Sequence, residues 1–242
     1  LEQLEYLLAS QTAPKDTAAI LIESVLGEGG YIVPPTSFMK GLREICGKHG
    51  ILLIFDEVQS GFGRTGKWFA LEHFDVVPDI IAAAKGIASG LPLSGVFTRA
   101  DIMKKLDVGS IGGTYGGNAV ACAAGVATIR VMRDEKMLEN ASEKGIQLMT
   151  GLRKLQEEYP QIGDVRGKGL MIGTEFIMDG KPEKAKPMVK EIIHAAEENN
   201  LLLLSCGTYD NTIRWIPPLN VTSQQINEGL KIFGEALKET IK

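Results

Sequence analysis

The apolar run Ile51-Leu52-Leu53-Ile54-Phe55 leads directly into Asp56-Glu57. Such a run describes a buried strand whose carboxylates emerge where it ends, and in open α/β sheets ligands bind at that carboxyl edge. Further along, Lys85 interrupts the small residues Ala82-Ala83-Ala84 and Gly86. A carboxylate can hold a ring cation, and a lysine with a fraction of its amine neutral can attack a carbonyl. Placed on the ends of two buried strands, these groups can hold opposite ends of one small cofactor. Lys85 is expected to be buried among alanines, which disfavours the charged ammonium.

Alternating strand and helix patterns must position these groups. Strands are expected over residues 18–23, 51–56, 80–84 and 93–98, with a helix over 37–48 ended by a glycine cap at Gly50. One βαβ crossover fits between Glu23 and Asp56, so both carboxylates should end nearby strands on the same edge. The second half reads differently. Leu138, Ala141, Gly145, Leu148, Leu152 and Leu155 mark one face of a long helix. Val189, Ile192, Ile193 and Ala196 mark another, with Pro187 in its first turn. Thr222 and Gln225 have capping-box spacing ahead of a last helix through Leu230, Phe233 and Leu237, with Val221 and Ile226 as its staple. Short strands are expected over 170–176, 201–205 and 211–216. The fold class is therefore α/β, with a mostly parallel sheet in residues 1–133 and a small α+β domain in 134–242.

Composition narrows the function. Lys and Arg number 26 against 30 Asp and Glu, a net charge of −4 too mild for a nucleic-acid or anionic-membrane partner. No apolar run reaches the roughly 18 residues of a membrane span. Cys46, Cys122 and Cys206 are scattered without C-x-x-C spacing, so a reducing, cytoplasmic setting is expected. His49, His73 and His194 show no metal-binding spacing, and no metal site is expected.

An apolar strand ending in acids also describes the magnesium strand of a P-loop nucleotidase. Gly61 through Lys67 even reproduces G-x-x-x-x-G-K, but Trp68 stands where a hydroxyl must reach the magnesium, and no strand feeds the loop. The segment Asp56-Glu57-Val58-Gln59-Ser60-Gly61-Phe62-Gly63-Arg64-Thr65-Gly66 instead resembles the class III aminotransferases, pyridoxal-phosphate enzymes of fold type I. The resemblance continues through Glu23, Gly27-Glu28-Gly29-Gly30, Pro78-Asp79-Ile80, Ala84-Lys85-Gly86, Gly113 to Asn118, Val165 to Leu170 and Arg214 to Leu219. Each piece is weak evidence; their common order and spacing are strong. Val58-Gln59 and Phe62 point toward 4-aminobutyrate, acetylornithine and ornithine aminotransferases, and away from other branches.

The resemblance implies a role for each matched residue. Lys85 holds pyridoxal 5'-phosphate covalently and moves the proton. Asp56 binds the pyridine nitrogen and keeps it protonated, so that the ring absorbs electrons. Val58 and Gln59 line the cofactor, Gln59 at its ring hydroxyl. Thr114, among glycines and ahead of a small-residue helix, contacts the phosphate of the neighbouring subunit's site, which implies a homodimer with shared active sites. Arg214 grips a substrate carboxylate through paired N–H donors. Glu23 masks that arginine when an ω-amino acid donor arrives, so that one site serves both the donor and 2-oxoglutarate. Ser24 departs from the proline common after this glutamate. Arg64 and Arg166 read as structural.

Complete members of the family carry a phosphate-binding serine/glycine loop and a ring-stacking aromatic residue earlier in their chains, and neither is recognisable here. The expectation is an ω-amino acid transaminase chain as part of a longer enzyme. The alternative is a truncated, non-catalytic fragment that does not bind the cofactor stably alone.

Overall fold

The computed structural model describes residues 1–241. They form two compact units. Unit 1 takes Leu1–Ser24, Pro34–Phe62 and Lys67–Glu135; unit 2 takes Val25–Val33, Gly63–Gly66 and the chain from Lys136 on.

In unit 1, α1 (Glu2–Ser10) precedes β1 (Ala19–Glu23), α2 (Thr36–His49), β2 (Leu52–Asp56), β3 (Ile80–Ala83), β4 (Gly95–Thr98), the single turn α3 (Ala100–Met103) and α4 (Ala119–Asp134). The sheet order is β1-β2-β3-β4, with the first three strands parallel and β4 antiparallel at the edge. The parallel sheet is the expected one. The reversed edge strand leaves no mark on periodicity. α2 buries Met39, Leu42, Ile45 and Cys46 and ends at Gly50, whose φ of 69° is the left-handed cap that glycine supplies without strain.

Asp79, just ahead of β3, locks this sheet. Its side chain accepts hydrogen bonds from the Leu53 N–H at 2.8 Å, Arg43 Nη1 at 2.8 Å and Arg99 Nη1 at 2.5 Å. Burial pushes this carboxyl up, but the backbone donor and the two guanidiniums outweigh it and hold it below the usual carboxylate range. The unfolded value is about 3.9. A depressed folded value therefore stabilises the fold above that pH, and the contribution is lost as pH falls through the folded value. Asp79→Asn should cost about 2 kcal/mol near neutrality, a figure reduced because both arginines are partly exposed. Urea denaturation should show the gap to wild type narrowing below about pH 4. An equal gap at pH 3 and pH 7 would contradict this account.

Unit 2 contains α5 (Met137–Glu158), β5 (Ile162–Lys168), β6 (Met171–Phe176), α6 (Lys186–Glu198), β7 (Leu204–Cys206), β8 (Thr212–Trp215) and α7 (Ser223–Thr240). Its sheet runs β5-β6-β8-β7, antiparallel throughout. One core joins Ala141, Leu148 and Leu152 of α5, Val189 and Ile192 of α6, and Phe233 and Leu237 of α7 to Ile172, Phe176, Ile213 and Trp215 of the sheet. Trp215 meets Phe233 edge to face, with centroids 4.9 Å apart. Thr222 and Gln225 form the expected capping box, with Thr222 Oγ1 accepting from the Gln225 N–H and Gln225 Oε1 from the Thr222 N–H.

Two sequence expectations need correction here. β7 starts at Leu204 rather than near 201, because Leu201 and Leu203 pack into the core ahead of it. β5 was not expected, since Gly163, Asp164 and Gly167 hide its alternation. The assignment of Val25–Val33 and Gly63–Gly66 to unit 2 is also invisible to periodicity. Leu170 N–H donates to the Arg64 carbonyl, and the Gly207 N–H to the Glu28 carbonyl, tying both segments in. Gly169 makes the first approach possible: a Cβ there would lie 2.4 Å from the Thr65 carbonyl carbon, and its φ is 55°.

Candidate active site

Strand register brings the acids and the lysine of unit 1 together. Glu23 stands opposite Asp56, and Asp56 opposite Ala82, three residues ahead of Lys85. Parallel neighbours lie about 4.8 Å apart, so all three groups share the carboxyl edge of the sheet. Asp56 Oδ1 accepts the Val58 N–H at 2.9 Å, which starts the turn that carries Val58 and Gln59 away from β2.

Lys85 differs from its sequence expectation. β3 ends at Ala83, and Lys85 begins a 3-10 turn through Ala88. Its side chain is exposed rather than buried. A cavity of about 670 Å³ opens beside it, walled by Gly90–Ser94 and by Gly113–Gly117, including Thr114. These glycines contribute no side-chain atoms that could cover the amine, which is why the apolar run around Lys85 does not bury it. The backbone at Lys85 is left-handed, with φ of 44°. That conformation costs a lysine about 1 kcal/mol, and such strain persists where surrounding structure fixes a functional residue. Thr114 itself is exposed. Beyond it, Asn118 caps α4 by accepting from the Val120 and Ala121 N–H groups.

Glu57 is a residue whose importance the sequence reading missed. It is fully buried and accepts from Ser24 Oγ at 2.7 Å, Ser60 Oγ at 2.6 Å, the Ala70 N–H at 3.0 Å and the Leu71 N–H at 2.8 Å. Four donors on two oxygens hold the ends of β1 and β2 and the following turn in one geometry. Ser24 therefore has a definite task where relatives of its motif carry proline: it supplies one of these donors. Ser24→Ala should cost about 2 kcal/mol, because it withdraws a hydrogen bond from a buried carboxylate. Thermal unfolding checks this, and an unchanged midpoint would refute it. The signal available in the sequence was the second acid of the pair followed by Ser60.

In unit 2, Arg214 leaves β8 beside Tyr31, Cys206 and Glu28. Its Nη1 donates to the Glu28 carboxylate, and its guanidinium also donates to the Tyr31 phenol. Tyr31 is fully buried, and burial pushes its phenol up to about 12 against the pull of Arg214, so the neutral hydroxyl faces the cation. Burial likewise raises the Cys206 thiol to about 11. Arg64 donates to the carbonyls of Leu170 and Pro217, and Arg166 pairs with Asp164 and Glu175 and donates twice to the Gly30 carbonyl. Both arginines are engaged in holding unit 2 together.

Among the described residues, no cluster of three or more His, Cys, Asp or Glu side chains could hold a metal, and no helix is long and apolar enough to cross a membrane. Comparison with known proteins gives these features a family. The 5-aminovalerate aminotransferase DavT of Pseudomonas aeruginosa is 45% identical over 240 residues, 99% of this chain and 56% of that protein. The 4-aminobutyrate aminotransferase GabT of Escherichia coli is 43% identical, with 99% and 56% covered. An alanine/serine racemase of Pyrococcus horikoshii is 44% identical, with 100% and 51% covered. The chain thus spans about half the length of the curated relatives it matches. An amine transaminase from an uncultivated Pseudomonas species, crystallised in its PLP-bound form, superposes with a TM-score of 0.91 at 35% identity, covering 99% of this chain and 56% of that one. The family model for aminotransferase class-III matches residues 1–237, and the chain belongs to that family of pyridoxal-phosphate enzymes.

Proposed function

We propose that this chain is part of an enzyme that moves the amino group of an ω-amino acid, such as 5-aminovalerate or 4-aminobutyrate, to 2-oxoglutarate. The observation that carries the proposal is the strand register: Asp56 beside Ala82, with Lys85 three residues on. A carboxylate and an amine at one sheet edge, next to a cavity of about 670 Å³, fit a small ring-and-phosphate cofactor. When bound, pyridoxal phosphate supplies a carbonyl for the donor's amine and a ring that takes up electron density.

The protein's own groups do the rest. Lys85 Nζ holds the cofactor until the donor's amine displaces it, then takes a proton from the amine-bearing carbon and returns it as general base and acid. The Asp56 carboxylate keeps a proton on the ring nitrogen, and Val58 and Gln59 orient the ring. Thr114 and the glycine loop around it bind the phosphate through hydroxyl and amide donors, serving the partner's site in a homodimer. Arg214 binds the substrate carboxylate, with Glu23 as its counter-charge when the donor is bound. The setting is cytoplasmic, in keeping with three cysteines that form no disulfide.

Assays of the full-length gene product test this reading. 5-Aminovalerate, 4-aminobutyrate, ornithine and N-acetylornithine are each incubated with 2-oxoglutarate, and glutamate is measured. Formation of glutamate from an ω-amino donor is expected; its absence with all four overturns the proposal. Similarity to the Pyrococcus horikoshii racemase favours a second reading, in which the same lysine exchanges a proton at Cα without an amino acceptor. Formation of D-alanine or D-serine from the L-enantiomer, with no oxo acid present, would select it. The exposed Lys85 supports one more point: these 242 residues alone bind the cofactor weakly and are not catalytic. Tight stoichiometric binding by the isolated chain would contradict that.

A further inference from the structure

Two partners hold Arg214, and they differ in kind. Tyr31 is fully buried, so its phenol is a fixed acceptor. Glu28 leaves 71% of its side chain exposed, while its carbonyl is anchored by the Gly207 N–H at 2.8 Å. The backbone is tied and the carboxylate is free to rotate into water. Glu28 takes a single donor, Nη1, and Arg214 Nε is buried with no hydrogen-bond partner. The neighbouring carboxylates are committed elsewhere, Asp164 and Glu175 to Arg166 and Asp210 to Lys186.

We infer that Glu28 is a displaceable carboxylate that competes with the substrate's carboxylate for Arg214 and so sets the enzyme's preference between dicarboxylate and monocarboxylate partners. This rests on the proposed role of Arg214. The reasoning is an exchange of acceptors. An incoming carboxylate engaging two parallel N–H groups, Nε among them, forms a stronger pair than the one-armed contact it replaces. Glu28 can leave cheaply, because its exposed end is rehydrated as it swings out. While paired, it neutralises Arg214, so a partner that offers no second carboxylate meets no uncompensated cation. Tyr31 keeps the guanidinium in place through the exchange. The task differs from that proposed for Glu23, because Glu28 sits on the same unit as Arg214 and moves by side-chain rotation alone.

Glutarate, a non-reacting dicarboxylate, is the probe, and its binding to full-length holoenzyme is measured by calorimetry. Glu28→Gln removes the competing charge at an exposed site, so folding is retained, as a thermal melt verifies. Glutarate should bind about three- to fivefold more tightly to this variant, the factor expected from losing one exposed ion-pair competitor, and KM for 2-oxoglutarate should fall. A merely structural role for Glu28 predicts weaker binding, never tighter. Unchanged or weaker glutarate binding in Glu28→Gln, with wild type binding normally and Arg214→Ala abolishing it, overturns the competition while leaving the role of Arg214 intact. If wild type fails to bind glutarate, or Arg214→Ala still binds it, the role assigned to Arg214 falls and this inference falls with it.

Discussion

Replacing Lys85 with alanine should lower turnover of the full-length enzyme by about 10³- to 10⁴-fold, the contribution of a positioned acid–base group. The loss is chemical rather than structural. Lys85 is exposed and stands on a turn whose fold depends on backbone geometry, so the thermal midpoint should move little. Lys85→Arg sharpens the test. It keeps a long cationic side chain, but a guanidinium holds its proton at any working pH and cannot bond to a carbonyl or shuttle a proton. It should therefore be as inactive as Lys85→Ala. Added small primary amines should restore part of the activity to Lys85→Ala by supplying the missing base. Borohydride treatment gives an independent readout, because it converts a lysine-bound carbonyl to a stable secondary amine. Peptide mapping should find the trapped cofactor on the peptide containing Lys85. Trapping on another lysine, or wild-type turnover in Lys85→Ala, would remove Lys85 from the chemistry.

What the sequence made legible, and what it hid, follows from the range of each signal. β1, β2 and β3 were readable because they are short apolar runs with acids or alanines at the carboxyl ends, and parallel register then places Glu23, Asp56 and Lys85 on one edge. α2 and α7 announced their ends through Gly50 and Thr222, since capping is local chemistry. The reversed direction of β4 was not readable, because alternation is the same in either sense. Nor was the exposure of Lys85, which depends on a glycine loop some thirty residues away in the chain. Glu57 was overlooked for a similar reason. Its donors come from Ser24, Ser60, Ala70 and Leu71, and only the fold collects them. The partner of Arg214 shows the limit most clearly. Glu28 lies in a segment that periodicity assigns to the first half, yet it belongs with β8 in unit 2.

Asp56→Asn should reduce kcat by about 10²- to 10³-fold, which at 1.4 kcal/mol per decade is about 3–4 kcal/mol of lost charge stabilisation. The substitution is nearly isosteric, and the asparagine oxygen can still accept the Val58 N–H, so the turn after β2 survives. Only the charge is lost. Without it, nothing keeps the ring nitrogen protonated, and the ring no longer takes up the electrons released when the proton leaves carbon. A few kcal/mol is the size expected for an opposite-charge contact in a partly shielded site, where the effective dielectric lies well below that of water. Asp56→Glu discriminates charge from position. It restores the carboxylate one methylene further out, so it should recover part of the activity while losing the short contact to Val58. The expected order is therefore wild type, then Asp56→Glu, then Asp56→Asn, with thermal midpoints nearly equal for wild type and Asp56→Asn. If Asp56→Asn kept more than a tenth of wild-type kcat, the carboxylate at the end of β2 would be a structural cap and not a partner of the cofactor ring.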